Sequence, residues 1–203
     1  MNRRFFLMTT AAAATLGAGG AALALDAADR TIVPGQRVGA VTKATPPAAL
    51  AKIFGTAKVR YAQVPIAEGT KASGAYVLAK TQDELQVGFH QNKKRIEFIR
   101  IVGRNWKTEN GIHVGTSIEE LERINGAPFE LSGFDWDYGG MVQRRPQDKL
   151  SRDLAITLTP TKRVAEAESS QVSGDRKLTS NHPVLKKMAV VVSSLVISWP
   201  DGR

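Results

Sequence analysis

Four consecutive residues, Asp135, Trp136, Asp137 and Tyr138, are the densest group of chemically capable side chains in this 203-residue sequence. In an extended strand the two aspartates would share one face and the aromatic rings the other. The carboxylates could then bind a cation or act as an acid/base pair, and the rings could bind a sugar or a peptide. The alternative is structural, with the aromatic face packed under a helix and the aspartates meeting water or arginine.

Other catalytic or metal-binding patterns are missing from the sequence. His90, His113 and His182 are far apart and none belongs to an H-E-x-x-H motif. No nucleophile elbow, phosphate-binding loop, dinucleotide fingerprint or calcium loop occurs. The absence of cysteine excludes disulfides, thiolate ligands and cysteine nucleophiles. The sequence therefore predicts no catalytic residue, no metal site and no cofactor.

A stretch that occurs twice predicts the helices that organise the chain. Residues 45–55 and 116–126 align in register, with Thr, Leu, Ile and Gly identical. Thr45 is predicted to cap the first helix, and Thr116 with Glu119 to form a capping box on the second. Gly55 and Gly126 are predicted to end the helices in the left-handed conformation.

Runs of β-forming residues follow each predicted helix. They lie at residues 59–64, 75–79, 85–89, 95–101, 129–132, 138–143, 153–159 and 189–199. The last run is long and β-branched, which is typical of a central strand. The polar segment 160–180 lacks periodicity and is predicted to be an exposed loop, and Pro183 is predicted to begin a brief helix.

These elements predict an α+β fold made of two helix-then-antiparallel-meander repeats. Repeat 1 would span residues 34–106, after a leader at 25–33, and repeat 2 would span residues 107–203 with the polar insertion 160–180. A two-layer domain, with both helices on one face of a sheet, buries one face of every element.

Residues 1–24 have the layout of a bacterial export signal. Arg3 and Arg4 directly precede Phe-Phe-Leu and a weakly apolar run rich in Ala, Gly and Thr, which resembles a twin-arginine signal. Ala22 and Ala24 form an A-x-A cleavage motif. An uncleaved membrane anchor is the alternative, although such small residues insert weakly. We expect a periplasmic or secreted protein that engages the export translocase and has no stable membrane insertion after cleavage.

The chain carries a formal charge of +9, of which Arg3 and Arg4 contribute two. Outside the cytoplasm, nucleic acid is the least favoured partner for a basic surface. The basic clusters are also short and lack interleaved aromatic residues, which is typical of a solvated face. We therefore predict no nucleic-acid partner.

The tandem Thr…Leu…Gly helix pattern placed before strands resembles the β-lactamase-inhibitor-protein group and the small outer-membrane assembly lipoproteins. The resemblance implies a binding protein without catalytic machinery. This chain has neither the inhibitors' cysteines nor the acylated cysteine of the lipoproteins. Residues 110–129 and 131–140 also resemble uncharacterised bacterial envelope proteins.

The leading functional prediction is an exported envelope binding or interaction module. Its partner would be an envelope protein or a glycan, contacted by the segment around Trp136 and neighbouring basic loops. One alternative is a hydrolase of an envelope polymer that uses Asp135 or Asp137 with a histidine brought close by folding. A structural envelope component is the other alternative.

Overall fold

The computed structural model describes residues 28–66, 68–92 and 94–200. The residues of the export signal, Arg3, Arg4, Ala22 and Ala24, lie outside these ranges, so export and cleavage stay predictions. Within the described ranges, no helix combines the length and the apolar character needed to cross a bilayer.

Short strands and short helices make up the described chain, which confirms the α+β class. The strands are β1 (Thr31–Val33), β2 (Arg37–Val38), β3 (Val41–Thr42), β4 (Val59–Pro65), β5 (Lys71–Val77), β6 (Leu85–Phe89), β7 (Ile96–Ile101), β8 (Lys107–Thr108), β9 (Glu130–Ser132), β10 (Val142–Gln143), β11 (Ala155–Pro160), β12 (Lys177–Thr179) and β13 (Val190–Ser198). The helices are α1 (Ala49–Phe54), α2 (Ile118–Asn125), α3 (Glu166–Ser169) and α4 (Pro183–Lys187), with a 3-10 turn at Thr56–Lys58.

The main sheet has six antiparallel strands in the order β11-β13-β7-β6-β5-β4. Strands β4 to β7 follow one another as a meander, as the sequence predicts for the first half of the chain. β13 lies between β7 and β11, which confirms its prediction as an interior strand. The sheet therefore joins strands from both halves of the sequence.

The strands after α2 do not form a second consecutive meander. β9 pairs with β10 and β12 in a separate three-stranded sheet, whereas β11 and β13 extend the main sheet. A third, four-stranded sheet has the order β3-β2-β1-β8. The second half of the chain is thus distributed over more than one sheet.

The predicted loop 160–180 and the predicted leader 25–33 both contain regular structure. The segment 160–180 holds α3 and β12, because Val172 and Leu178 are buried in the core and draw the polar chain onto it. The segment 25–33 holds β1, whose Ile32 is buried. β1 pairs antiparallel with β2 and parallel with β8. The prediction that the segment 160–180 is a loop without regular structure was therefore wrong, and the predicted leader contributes a strand to a sheet.

The two threonines of the repeated stretch close turns before the helices and do not cap them. Thr45 Oγ1 accepts a hydrogen bond from the Thr42 backbone N–H (3.0 Å), and Thr116 Oγ1 accepts one from the His113 backbone N–H (2.9 Å). Both hydroxyls reach back three residues, so they are not directed at the helix that follows. The predicted Thr45 cap and the predicted Thr116–Glu119 capping box were wrong for this reason.

The observed helix ends differ between the two copies. α1 follows Ala48, which provides no side-chain cap, whereas α2 is capped by Ser117, whose Oγ accepts from the Glu120 backbone N–H (3.1 Å). Gly126 has the predicted left-handed conformation, with φ 79° and ψ 1°. Gly55, with φ 94° and ψ 136°, does not, because the chain continues directly into the 3-10 turn.

The core lies on one face of the main sheet, which we call the inner face. Val87, Ile99 and Ile197 project from its strands and share one buried cluster with Leu50 of α1 and Leu121 of α2. The helices therefore cover this face, as a two-layer arrangement requires.

The opposite, outer face is shaped by the paired glycines Gly74 of β5 and Gly88 of β6. A Cβ added to Gly88 would lie 2.0 Å from Cε1 of Phe98, and one added to Gly74 would lie 2.7 Å from Cγ2 of Val64. Phe98 and Val64 therefore lie directly on the glycine backbone, and both are buried. This close packing lets the β4–β5 hairpin bend toward the outer face.

Candidate functional site

Arg100 of β7 holds the bent β4–β5 hairpin over the outer face. Its Nη1 donates to the carbonyl oxygen of Pro65 (2.7 Å) and its Nη2 to that of Ile66 (2.9 Å). Nη1 also lies 3.3 Å from Oε1 of Gln86. Because β7 and β4 are three positions apart in the sheet order, these contacts require the hairpin to fold back across the face.

Burial against the sheet lowers the pKa of Arg100 from its usual value. A guanidinium nevertheless stays protonated in proteins and presents its donors in a rigid fork. Arg100 can therefore bond two successive carbonyls at once and fix the position of the hairpin tip, which we define as Ile66 and Glu68–Thr70.

The hairpin tip meets a second segment, residues 133–140, which we call the aromatic turn. The Tyr138 hydroxyl donates to Oε1 of Glu68 (2.5 Å). Among the described residues, three large apolar side chains are prominently exposed: Tyr61 (51%), Ile66 (45%) and Tyr138 (37%). Two of the three therefore belong to the segments that the Tyr138–Glu68 hydrogen bond joins: Ile66 to the hairpin tip and Tyr138 to the aromatic turn.

The aromatic turn is not extended, so it differs from the strand arrangement considered for Asp135–Tyr138 from the sequence. Its Asp135 has a φ of 64°, in the left-handed region. Within the turn, the Gly139 backbone N–H donates to the carbonyl of Trp136 (2.9 Å). The turn forms because Gly140 approaches Leu158 closely, so that a Cβ there would lie 2.1 Å from the Leu158 carbonyl oxygen. The condition under which Asp135 and Asp137 would share one face, an extended strand, is therefore not met.

Local hydrogen bonds fix the orientation of the side chains in the aromatic turn. Asp135 Oδ2 accepts from the Ser173 hydroxyl (2.6 Å), and Trp136 Nε1 donates to the Gly133 carbonyl (2.8 Å). The Trp136 and Tyr138 rings meet edge to face, with centroids 5.3 Å apart. Phe134 is the ring of this segment that enters the core. The turn thus presents a fixed pair of rings beside the hairpin tip.

The three histidines make their described hydrogen bonds with other groups than Asp135 and Asp137. Nε2 of His90 lies 3.2 Å from the Trp199 carbonyl, Nδ1 of His113 lies 2.9 Å from the Gly111 carbonyl, and Nδ1 of His182 accepts from the Val184 N–H. Over residues 28–66, 68–92 and 94–200, no group of three or more His, Asp or Glu side chains is arranged to hold a metal ion. The predicted hydrolase arrangement has no geometric support in these contacts.

The basic pair Arg144 and Arg145, the nearest basic cluster after the aromatic turn, stabilises its own loop. Arg144 Nη1 donates to the carbonyls of Ser151 (2.5 Å) and Leu154 (2.6 Å), and burial lowers its pKa. Arg145 Nη2 donates to the Pro128 carbonyl (2.6 Å) and pairs with Asp148 (3.2 Å). These two cations thus have bonded partners within the protein.

Ile66, Glu68 and Arg100 complete the candidate site, and sequence reasoning missed all three. Ile66, Phe98, Arg100 and Val196 line a cavity of about 210 Å³ beneath the hairpin tip. The only sequence signals are the Glu68-Gly69 turn and a single arginine between Ile99 and Ile101. Neither signal reveals that the two segments meet.

Comparisons with known proteins bear on the fold alone. No family model matches the sequence, and no curated protein matches it. The fold is similar to the crystal structure of the uncharacterised protein YfeY from Escherichia coli, with a TM-score of 0.51 and 17% sequence identity. The similarity covers 82% of this chain and 99% of the YfeY chain, so it extends over most of the architecture.

The Tyr138–Glu68 hydrogen bond attaches the hairpin tip to the aromatic turn, and we expect this bond to be lost at alkaline pH. The hydrogen bond to Glu68 and the charges of Glu68 and Asp137 raise the pKa of Tyr138 above its usual 10.0. The bond therefore stabilises the fold fully below pH 10.0 and is lost as the pH rises through the folded-state pKa.

We expect one tyrosine to ionise late in an ultraviolet absorbance titration of the folded protein. Subtracting the titration curve of Tyr138→Phe from that of the wild type isolates this group. We expect a midpoint above 10.0, and Glu68→Gln should move it back toward 10.0 because the acceptor loses its charge. A midpoint at or below 10.0 in the wild type would show that the contact does not persist in solution.

Proposed function

We propose that the protein is an exported envelope binding module whose contact surface is the tip–turn surface, formed by Ile66, Glu68, Trp136, Asp137 and Tyr138. One observation carries this proposal. Exposed apolar side chains from two distant segments are held together by the Tyr138–Glu68 hydrogen bond, next to a hairpin fixed by Arg100. Fixed, exposed aromatic residues are favourable in binding surfaces because little side-chain entropy is lost on association.

The proposed partner is an envelope protein or a glycan. Trp136 and Tyr138 supply aromatic surface, and Glu68 and Asp137 supply exposed carboxylates beside it. Ring faces stack on sugar rings or apolar side chains, and carboxylates accept hydrogen bonds from hydroxyl or amide donors. This combination supports binding of a neutral or weakly basic ligand.

We also propose that residues 45–55 and 116–126 descend from a duplicated unit. The identical positions of the two stretches support it, as does the shared local bond in which Thr45 and Thr116 each accept from the N–H three residues earlier. The proposal concerns the turn and the helix, since the strands that follow are arranged differently.

Replacing Tyr138 with alanine should abolish capture of the partner from envelope extract. The full chain, isolated from expressing cells and immobilised, is incubated with extract, and the retained protein and glycan are identified by mass spectrometry. Tyr138→Phe is the matched variant: it removes the bond to Glu68 but keeps the ring, so it should retain less of the partner than the wild type and more than Tyr138→Ala. Trp136→Ala should behave like Tyr138→Ala. Equal retention by the wild type and both alanine variants would refute the tip–turn surface as the contact site.

Changing Arg3 and Arg4 together to lysine should stop export. The expected result is accumulation of the uncleaved chain in the cytoplasmic fraction, because the twin-arginine route reads the arginine pair itself. Cell fractionation with immunoblotting measures the distribution. Exchanging the exposed pair Lys162 and Arg163 for Arg and Lys is the control and should leave the distribution unchanged. A double-lysine variant that is exported as fully as the wild type would contradict the proposed route.

A further inference from the structure

Strand β4 is the terminal strand of the main sheet and has one free edge. It is seven residues long and pairs with β5 along its whole length. Within the described ranges, no third strand pairs with it through backbone hydrogen bonds, and the side chain of Arg100 bonds only the Pro65 carbonyl at its end. Such an edge is a template for pairing with another extended chain unless it is blocked.

The register shows which backbone groups of β4 point to the free edge. The Ile66 N–H donates to the Thr70 carbonyl (2.9 Å), and the Leu78 N–H donates to the Lys58 carbonyl (2.9 Å). In an antiparallel pair the bonded positions recur every second residue. Residues 60, 62 and 64 therefore bond to β5, whereas Tyr61 and Gln63 direct their N–H and C=O groups outward. The Val59 N–H donates to the Thr56 carbonyl in the preceding 3-10 turn.

A cavity of about 360 Å³ lies beside this edge, lined by Tyr61, Gln63, Ser73 and Phe89 among others. The Tyr61 and Phe89 rings have centroids 6.2 Å apart, and the Tyr61 hydroxyl donates to the Pro47 carbonyl (3.1 Å). The Tyr61 ring, although 51% exposed, is thus oriented by a hydrogen bond. A side chain from an added strand could enter this cavity.

The charge around β4 indicates which kind of extended segment can pair with its free edge. Residues 30–66 contain six basic residues and no acidic one: Arg30, Arg37, Lys43, Lys52, Lys58 and Arg60. Lys58 at the start of β4, Arg60 on it and Lys71 opposite its end are exposed and form no ion pair with any described residue. Arg60 lies over the Tyr76 ring, 4.5 Å from its centroid, which holds its charge beside the edge.

The geometry points to strand addition: we propose that β4 binds an extended segment of a partner protein in which acidic residues alternate with apolar ones. Backbone bonds would form to Tyr61 and Gln63, an apolar side chain would enter the Tyr61–Phe89 cavity, and the acidic side chains would face Arg60 and Lys58. The positive charges of Lys58, Arg60 and Lys71 along this edge disfavour a second copy of this chain there. This site is separate from the tip–turn surface and does not depend on it.

The test uses the full chain, as isolated from expressing cells, and a seven-residue capped peptide in which glutamate alternates with valine around a central phenylalanine. A matched peptide carries lysine in place of every glutamate. We expect the glutamate peptide to slow hydrogen exchange at the Tyr61 and Gln63 amides, and we expect its affinity to fall as salt is added. Equal binding of the lysine peptide would overturn the proposal.

Two substitutions at one position separate the backbone contact from the side chain. Gln63→Pro removes an outward N–H that β5 does not use, and proline is tolerated on sheet edges, so the fold should persist. Gln63→Ala keeps the N–H. We expect Gln63→Pro to bind the glutamate peptide at least about tenfold more weakly, and Gln63→Ala to stay within about twofold of the wild type. Wild-type affinity in Gln63→Pro would overturn the proposal.

Charge reversal provides a second test that does not depend on how Gln63→Pro folds. Arg60→Glu should weaken binding of the glutamate peptide and strengthen binding of the lysine peptide. Unchanged preferences would contradict the proposal. If rising protein concentration alone protects the Tyr61 and Gln63 amides, a second copy occupies the edge and the proposed acidic partner is wrong; the same experiment leaves the tip–turn proposal unaffected.

Discussion

The two hydrogen bonds from Arg100 to the carbonyls of Pro65 and Ile66 are the contact on which the outer face depends. They carry the end of β4 back over a sheet in which β4 and β7 are three positions apart. Gly74 and Gly88 make this bend sterically available, because Val64 and Phe98 occupy the space that their side chains would need. The hairpin tip and the cavity below it take their positions from this arrangement, whereas the aromatic turn is held by its own contacts with Leu158 and Ser173. The guanidinium of Arg100 thus holds the β4–β5 hairpin of the meander in a bent position. One proposed binding surface lies at the tip of this hairpin and the other along the edge of β4.

The sequence predicts elements better than it predicts their ends or their assembly. Residues 85–89 form β6 as expected, and the β-branched run near the carboxyl terminus forms the interior strand β13. The predicted helix caps at Thr45 and Thr116 were wrong. A threonine hydroxyl can accept a hydrogen bond from an earlier residue as well as from the helix that follows it, and both threonines accept from the N–H three residues earlier. The segment 160–180 is polar, but it contains a helix and a strand because Val172 and Leu178 are buried in the core. No local sequence pattern predicts that these two residues are buried.

At the candidate site, the sequence identifies the residue types but not their arrangement. Trp136 and Tyr138 were predicted as contact residues, and the structure leaves Tyr138 37% exposed and bonded to Glu68 of the hairpin tip. Asp135 has a left-handed φ and the segment forms a turn, and the contact of Gly140 with Leu158 of β11 could not be read from the sequence. The hydrogen bond of Glu68 to Tyr138 and the role of Arg100 could not be found without the fold, since each joins residues more than 30 positions apart.

The distance between the hairpin and the rest of the sheet tests the Arg100 contact most directly. Because the chain has no cysteine, nitroxide labels can be introduced at Lys71→Cys and Lys162→Cys, two exposed positions, and their separation measured by pulsed electron paramagnetic resonance. We expect a narrow distance distribution in the otherwise wild-type chain and in Arg60→Lys. Arg100→Lys should broaden it, since one ammonium cannot reproduce the two-carbonyl fork. A distribution in Arg100→Lys that matches the wild type would contradict the claim that Arg100 holds the hairpin over the outer face.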